Sequence, residues 1–171
     1  LRQVISEPAM ALLVLRTTEN GESTILGGDL GLTSSSGQFQ FSYNNQNPII
    51  QSARSSNTWA ILAISMDIGS QNLWIDGDLI GSSTNSNLPS PLQSTGKQFS
   101  GEIAEILIFE DSVTFSSRQK VEGYLAHKWG LKAQLPSLHP FQSSPPAFGG
   151  NQFITWFGID ENTTSDFPRL P

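Results

Sequence analysis

The stretch NLWIDGDLIGS, residues 72–82, contains the clearest fold signal in the chain. Apolar residues flank Asp76-Gly77 on both sides, and this dipeptide favours a type I′ turn, which joins two antiparallel strands. Strand side chains alternate between faces, so Leu73 and Ile75 share one face and Trp74 lies on the other. The sequence therefore predicts a β-hairpin with Leu73 and Ile75 in a core and Trp74 outside it.

Other short segments also have the features of strands. AMALLVLRT (9–17) and TWAILAISMD (58–67) are apolar runs typical of strands buried on both faces, although a short helix is an alternative for the first. QFQFSY (38–43) alternates aromatic and polar residues, and GEIAEILIFE (101–110) is rich in aliphatic residues. Together with STILGG (23–28), these segments predict a two-sheet antiparallel sandwich over residues 9–110.

One helix is predicted at about residues 115–129. Apolar and amphipathic residues recur there at helical spacing: Val121, Tyr124, Leu125, Lys128 and Trp129. Thr114 or Ser116 can cap the start, and Gly130 suits the left-handed position after the end, with Leu131 as the apolar contact that often accompanies it. We expect Leu125 and Trp129 to be buried packing residues, with Lys128 extending its ammonium to solvent.

Composition and charge exclude several classes of function. Nine Lys and Arg residues against fifteen Asp and Glu residues give a net charge of −6, and the cations are scattered. Nucleic acid is therefore not an expected partner, because binding it requires clustered cations. The chain has no cysteine, which excludes disulfides and thiolate metal sites. It has no apolar run of eighteen residues, so membrane insertion is not expected.

The segment FSGEIAEILIFEDSVTFSSRQKVEGYLAHKWGL, residues 99–131, resembles the C-terminal signature of laminin-G-like domains in bacterial surface and secreted proteins. These domains belong to the concanavalin A-type jelly-roll superfamily. MALLVLRT, TILGG, TWAILAISMD and NLWIDGDLIGS match the upstream strands in order. The resemblance implies an all-β, two-sheet antiparallel jelly-roll sandwich with one C-terminal helix packed at its edge. Members of this family usually begin the helix with Ser-Asp-x-Glu, in which the glutamate carboxylate caps the helix start. Residues 114–117 take this position here and lack the carboxylate, so the helix start should be less firmly held.

The resemblance covers roughly residues 9–140, and we assign a domain to residues 1–140. Residues 141–171 are predicted as a Pro/Ser-rich linker, within which NQFITWFGID (151–160) could form a closing strand or the first strand of a neighbouring module. The chain begins at Leu1 without the charged and apolar regions of a signal peptide. We interpret it as a mature or excised piece of a longer protein.

Candidate catalytic groups are few. A jelly-roll glycanase needs two carboxylates that project from one strand face, typically two residues apart, to act as acid and nucleophile. Asp76 and Asp78 straddle the predicted turn, Asp160 and Glu161 are adjacent, and Glu102 and Glu105 are expected on opposite faces of one strand. A lyase site would need converging Tyr, His, Arg and Gln side chains, and the chain has only two His and two Tyr. We therefore expect no catalytic residues and no enzyme.

Calcium is the one cofactor that the resemblance brings into consideration. Its oxygen ligands could come from predicted loop residues: Asp29, Asp67, Asp76, Asp78 and Asp111. The sequence has no Asp-x-Asp-x-Asp-Gly loop, and ligands from separate loops cannot be paired from sequence. These aspartates are better explained as turn-forming residues than as calcium ligands, so we assign no metal site.

The candidate ligand-binding residues are Trp74, Tyr43, Asn45 and Asn47. An outward Trp74 can stack on a sugar ring, or it can be covered by the helix or the C-terminal tail. The amides of Asn45 and Asn47, next to Tyr43, can hydrogen-bond to sugar hydroxyls at a loop rim.

The sequence predicts a non-catalytic carbohydrate-binding or adhesion module of a larger extracellular or cell-surface protein. Its expected partners are a glycan or glycosylated surface and neighbouring modules of the same polypeptide. One alternative is a structural spacer or protein-interaction module without sugar binding. Another is a fragment of a polysaccharide lyase or glycoside hydrolase.

Overall fold

The computed structural model of the chain describes residues 10–18, 23–27, 30–35, 38–43, 50–53, 58–67, 69–84, 94–95 and 99–147. Its strands are β1 (Met10–Thr17), β2 (Ser23–Gly27), β3 (Leu30–Ser35), β4 (Gln38–Tyr43), β5 (Ile50–Ala53), β6 (Ala60–Asp67), β7 (Ser70–Ile75), β8 (Asp78–Ser83), β9 (Ser94–Thr95) and β10 (Gly101–Phe109). The helices are α1 (Phe115–Lys128) and a short 3-10 helix (Lys132–Gln134).

The strands form two five-stranded sheets. The first sheet has the order β10-β1-β6-β7-β8, and the second has the order β5-β4-β3-β2-β9. Neighbouring strands in both sheets are antiparallel, which confirms the predicted all-β, two-sheet jelly-roll sandwich. The sequence analysis did not predict β3 or β5, because LGLTSS and IQSA are short and rich in polar residues.

β1 lies inside the first sheet, between β10 and β6, and is buried on both faces, as its apolar run predicts. Ala11, Leu13 and Leu15 face the second sheet. They form the inter-sheet core with Ile64 of the neighbouring strand β6 and with Phe41 of β4 in the second sheet. The alternate residues of β1 face the other way, into a second core formed with α1. The first sheet is therefore the middle layer of three, with α1 across its outer face.

The β7–β8 hairpin has the predicted turn. Asp76 and Gly77 have φ angles of 51° and 91°, so both central residues are left-handed, as a type I′ turn requires. The Asp76 amide donates to the Ile61 carbonyl at 2.7 Å, and the Ile61 amide donates to Asp76 Oδ1 at 2.8 Å. The turn is thereby anchored to the neighbouring strand β6.

Both predicted ends of α1 are confirmed. Thr114 Oγ1 accepts a hydrogen bond from the Ser117 amide at 3.2 Å, as an N-cap does. Gly130 has a φ of 71°, and the Leu131 amide donates to the Ala126 carbonyl at 2.7 Å, the long hydrogen bond of a Schellman motif. Leu131 is buried in the outer core, which supplies the apolar contact expected after the helix.

The predicted face of α1 is only partly right. Val121 and Leu125 are buried as expected, but the Trp129 side chain is 41% exposed, so its assignment as a buried packing residue is wrong. Arg118 and Glu122 are buried instead. The buried face of α1 thus includes two charged residues. Charged residues are expected on the solvent side when a buried face is predicted from the spacing of apolar residues.

The segment 131–147, which we call the tail, folds back over α1 and the first sheet. Leu131 and Leu135 complete the outer core, and Phe141 lies directly against Gly123 of α1. His127 Nε2 donates to the Phe141 carbonyl at 2.9 Å. The domain boundary at residue 140 stays a prediction, and the possible strand at 151–160 lies outside the described residues.

Candidate functional site

Trp74 faces away from the inter-sheet core, as the strand alternation predicts. It packs against the outer core, and the guanidinium carbon of Arg118 lies 4.3 Å from the centre of its ring. A residue of α1 therefore covers one face of the indole. The helix was one of the two protein elements expected to cover Trp74, and the C-terminal tail was the other. This position favours packing, and the role of Trp74 in ligand binding stays a prediction.

The other three predicted ligand-binding residues lie at the end of β4 or beyond it. Tyr43 is the last residue of β4 and pairs with Leu30 of β3, but its side chain is outside the described part of the chain. Asn45 and Asn47 fall outside the described residues altogether. Their predicted hydrogen bonds to sugar hydroxyls are untested.

The aspartates considered for calcium have varied surroundings. Asp67 Oδ1 accepts a hydrogen bond from Ser112 at 2.7 Å, and Asp76 is part of the hairpin turn. Asp78 and Asp111 are exposed, and Asp29 lies outside the described residues. Within the described ranges, no group of three or more His, Asp or Glu side chains is arranged to hold a metal ion.

A β-bulge in β10 changes the expected placement of Glu102 and Glu105. Val14 pairs with Glu105, but Leu15 pairs with Ile103, so Ala104 is an extra residue. Arg16, two residues after Val14, pairs with Glu102. Because Val14 and Arg16 share a face of β1, their partners also share that face. The expectation that the two carboxylates face opposite sides is therefore wrong.

The bulge creates a surface of aromatic and charged residues at one end of the first sheet. We call it the Trp129 surface, and its members are Arg16, Trp59, Glu102, Glu105, Lys128 and Trp129. Glu102 and Glu105 come from β10, Arg16 from β1, and Trp59 from the residue before β6. The last turn of α1 adds Lys128 and the C-cap residue Trp129. All six lie on the side of the sheet that α1 covers.

Glu105 holds the exposed Trp129 indole in a fixed position. Trp129 Nε1 donates to Glu105 Oε2 at 2.7 Å, and Lys128 Nζ donates to Glu105 Oε1 at 3.1 Å. The Glu105 side chain is only 6% exposed, so this carboxylate is a rigid acceptor. Partial burial acts to lower the pKa of Lys128, but its hydrogen bonds with Tyr124 and Glu105 outweigh burial, and the net pKa is raised. The ammonium is thus stabilised in its charged form.

Arg16 links the remaining members. Its Nε donates to Glu102, and its guanidinium carbon lies 5.3 Å from the centre of the Trp59 ring. The hydrogen bond with Arg16 lowers the pKa of Glu102, and the same bond raises the pKa of Arg16. Both groups are therefore charged at neutral pH. Trp59 is half-buried and packs against the outer core, so it is less open than Trp129.

A second charged cluster is buried between α1 and the tail. Arg118, Glu122 and His139 have side chains that are 3%, 1% and 2% exposed. Arg118 donates to Glu122, and His139 Nε2 donates to Glu122 Oε2 at 3.3 Å while its Nδ1 accepts from the Phe141 amide. Solvent cannot reach these groups, so we assign the cluster to attachment of the tail and not to ligand binding.

The Trp129 surface could not be predicted from the sequence, for two reasons. The bulge that aligns Glu102 and Glu105 leaves no pattern in the sequence GEIAEILIF. Trp129 was assigned to the buried face because tryptophan at helical spacing is usually core. The available signal was the position of Trp129 directly before Gly130, which makes it the C-cap residue at the very end of the helix and not an interior residue of the buried stripe.

Comparison with known proteins supports the fold. No protein-family model matches the chain, and no curated protein sequence matches it either. The structure is similar to Trypanosoma rangeli sialidase in complex with sialic acid, with a TM-score of 0.57 and 13% identity, over 71% of this chain and 23% of that one. The similarity therefore spans less than a quarter of the sialidase chain.

Two smaller proteins have similar structures. The CBM40 module of Ruminococcus gnavus IT-sialidase aligns with a TM-score of 0.51 and 13% identity, over 66% of this chain and 80% of the module. A heptameric pentraxin from Limulus polyphemus aligns with a TM-score of 0.52 and 11% identity, over 66% of this chain and 69% of the pentraxin. At such identities the likeness shows the fold alone, a two-sheet antiparallel β-sandwich. Membership of the laminin-G-like family stays a prediction.

One further finding concerns membranes. In the part of the chain that the structure describes, no helix is both long and apolar enough to cross a bilayer.

Proposed function

We propose that the chain is a non-catalytic carbohydrate-binding module, that it works outside the cell or at the cell surface, and that the Trp129 surface holds the sugar. The observation that carries this proposal is the Trp129 indole, which is 41% exposed and yet fixed by a hydrogen bond to Glu105. An exposed aromatic ring that is held in place binds a flat ligand at low entropic cost.

The polar neighbours of Trp129 suit a sugar as well. Sugar rings present an apolar face and a rim of hydroxyl groups, so their sites combine an aromatic ring with a few placed donors and acceptors. Lys128 supplies donors beside the indole, and the exposed Glu102 supplies acceptors on the same face of the sheet. Similarity of fold to the CBM40 module supports the proposal, because that fold carries a carbohydrate-binding module.

The proposal is tested with Trp129→Ala. A glycan array identifies a bound sugar, and calorimetry then compares the variant with the unchanged protein. Base–aromatic stacking, a rough analogue of sugar stacking, contributes about 1–3 kcal/mol, so we expect affinity to fall about 5- to 150-fold. The midpoint of thermal unfolding should fall only moderately, because Trp129 is 41% exposed but loses its hydrogen bond to Glu105.

Phe115→Ala is the matched control. Phe115 is also an aromatic residue of α1 and is 66% exposed, but it lies at the opposite end of the helix. We expect this variant to bind the sugar normally. If Trp129→Ala binds as well as the unchanged protein, the proposed site is wrong. Release of new reducing ends from the bound glycan would contradict the non-catalytic assignment.

A protein-interaction module is the second candidate, favoured by a separate group of exposed apolar residues. Leu79 of β8 is 56% exposed and pairs with Trp74, and the Phe115 ring lies against Arg118, which covers Trp74. Exposed apolar residues that cluster in this way are typical of protein contacts. Sedimentation analysis of Leu79→Ser tests this candidate: self-association of the unchanged protein that the variant loses would support it.

A further inference from the structure

We infer that the Trp129 surface selects neutral sugars over sugars that carry a carboxylate or sulfate group. This inference rests on the proposed function and adds the class of ligand. Its basis is the charge pairing within the surface: both cations already hold a carboxylate of the protein. Arg16 is paired with Glu102, and Lys128 with Glu105.

The two ion pairs leave the surface without net charge. Glu105 is nearly buried and also accepts from Trp129, so it cannot turn away from Lys128 without breaking a second hydrogen bond. Glu102 is exposed, but it lies on the strand beside Arg16 and on the same face. The whole chain adds no attraction for anions, because its net charge is −6.

An acidic sugar therefore gains little at this surface. To bind Arg16 or Lys128, its carboxylate would have to replace the carboxylate of Glu102 or Glu105, which exchanges one ion pair for another. The displaced carboxylate would stay nearby and repel the ligand, and such repulsion is strongest where one partner is partly buried. A sugar carboxylate is bound most strongly by a cation that is not already paired with a carboxylate of the protein.

A neutral sugar can bind without breaking either ion pair. A carboxylate has about four acceptor positions, and the exposed Glu102 uses only some of them for Arg16. Hydroxyl groups can donate to the remaining positions and accept from the ammonium of Lys128. The sugar ring then lies on the exposed indole. The arrangement offers donors, acceptors and an apolar platform, and these are the groups that a neutral sugar needs.

Paired probes test the inference. Each pair contains a neutral sugar and a carboxylated counterpart: lactose with sialyllactose, galacto-oligosaccharides with oligogalacturonates, and gluco-oligosaccharides with oligoglucuronates. In the pair that binds, we expect the affinity for the acidic sugar to be about tenfold or more below the affinity for the neutral sugar at low salt. Affinity for the neutral member should be nearly the same at about 0.05 M and 0.5 M NaCl, since no charge pairing with the ligand is screened.

Charge reversal sharpens the test. Glu102→Lys removes one carboxylate and leaves Arg16 unpaired, so the preference for the neutral member over the acidic member should shrink by about tenfold or more. Glu110→Lys is the matched control, because this substitution changes the net charge by the same amount. Glu110 is also an exposed carboxylate, but it lies beyond the opposite end of β10. This control should leave the preference unchanged.

The outcomes separate the inference from the proposed function. Tighter binding of an acidic sugar, lost in Trp129→Ala and weakened by salt, would overturn the inference and leave the proposed function standing. An equal shift in preference for Glu102→Lys and Glu110→Lys would also overturn it, because the effect would then come from total charge. If no sugar of either class binds, the proposed function fails and the inference fails with it.

Discussion

Glu122 is the residue on which the buried charged cluster depends. It accepts from both Arg118 and His139, and all three side chains are nearly inaccessible to solvent. Arg118 Nε already lacks a hydrogen-bond partner within the described residues. Glu122→Leu would leave the guanidinium buried without its counter-charge, so we expect the free energy of unfolding to fall by about 3–5 kcal/mol, measured by chemical denaturation.

Two further variants check the cause of this loss. Glu110→Leu changes an exposed glutamate and should alter stability by less than about 0.5 kcal/mol. In Arg118→Met/Glu122→Leu both charges are gone, so the double variant should recover much of the stability that Glu122→Leu loses. If the double variant is less stable than Glu122→Leu, the unpaired charge of Arg118 does not explain the stability that Glu122→Leu loses.

Gly123 determines how closely the tail can approach α1. A Cβ atom at this position would overlap the Cβ of Phe141. Gly123→Ala should therefore destabilise the protein by about 1–3 kcal/mol through overpacking, although alanine alone would favour the helix by about 1 kcal/mol. In a Phe141→Ala background the overlap is absent, and Gly123→Ala should be neutral or stabilising. Thermal unfolding of the four proteins forms a double-mutant cycle, and additive effects would contradict the overlap.

The helix also shows how far sequence could predict this molecule. Its position and both ends follow from local chemistry, since Thr114 and Gly130 act on the backbone next to them. Its buried face does not follow, because Arg118 and Glu122 become acceptable core residues only when His139 and Trp74 surround them. The Trp129 surface was missed for a related reason, since it requires residues from β1, β10 and α1 to meet across a bulge.

The sandwich was easier to predict than the site. Apolar runs such as MALLVL identify strands that are covered on both sides, and the Asp76-Gly77 turn sets the register of its hairpin. The short strands β3 and β5 carry too few apolar residues to be detected alone. They are held in the second sheet by pairing with β4, so their structure depends on a neighbour and not on their own sequence.

The tail acts as part of the outer layer, and its removal should lower the free energy of unfolding. We compare a protein ending at Gly130 with one ending at Ala147, so that the difference reports residues 131–147 alone. Leu131 and Leu135 each contribute about 1.5–3 kcal/mol on burial, so the shorter protein should lose about 3–6 kcal/mol of unfolding free energy. Equal denaturation midpoints would show that the tail does not cover the sheet in solution.

The position of β1 between β6 and β10 has a consequence for synthesis on the ribosome. β1 pairs with β6 and with β10, so Met10 meets its partner Phe109 only after most of the described chain has emerged. At roughly 5–20 residues per second, this strand waits about 5–20 s for β10. During that time its continuous apolar face is open to other nascent chains. The yield of folded protein should therefore depend on chaperone supply. It should rise when growth temperature and translation rate are lowered, because long-range strand pairing is slow.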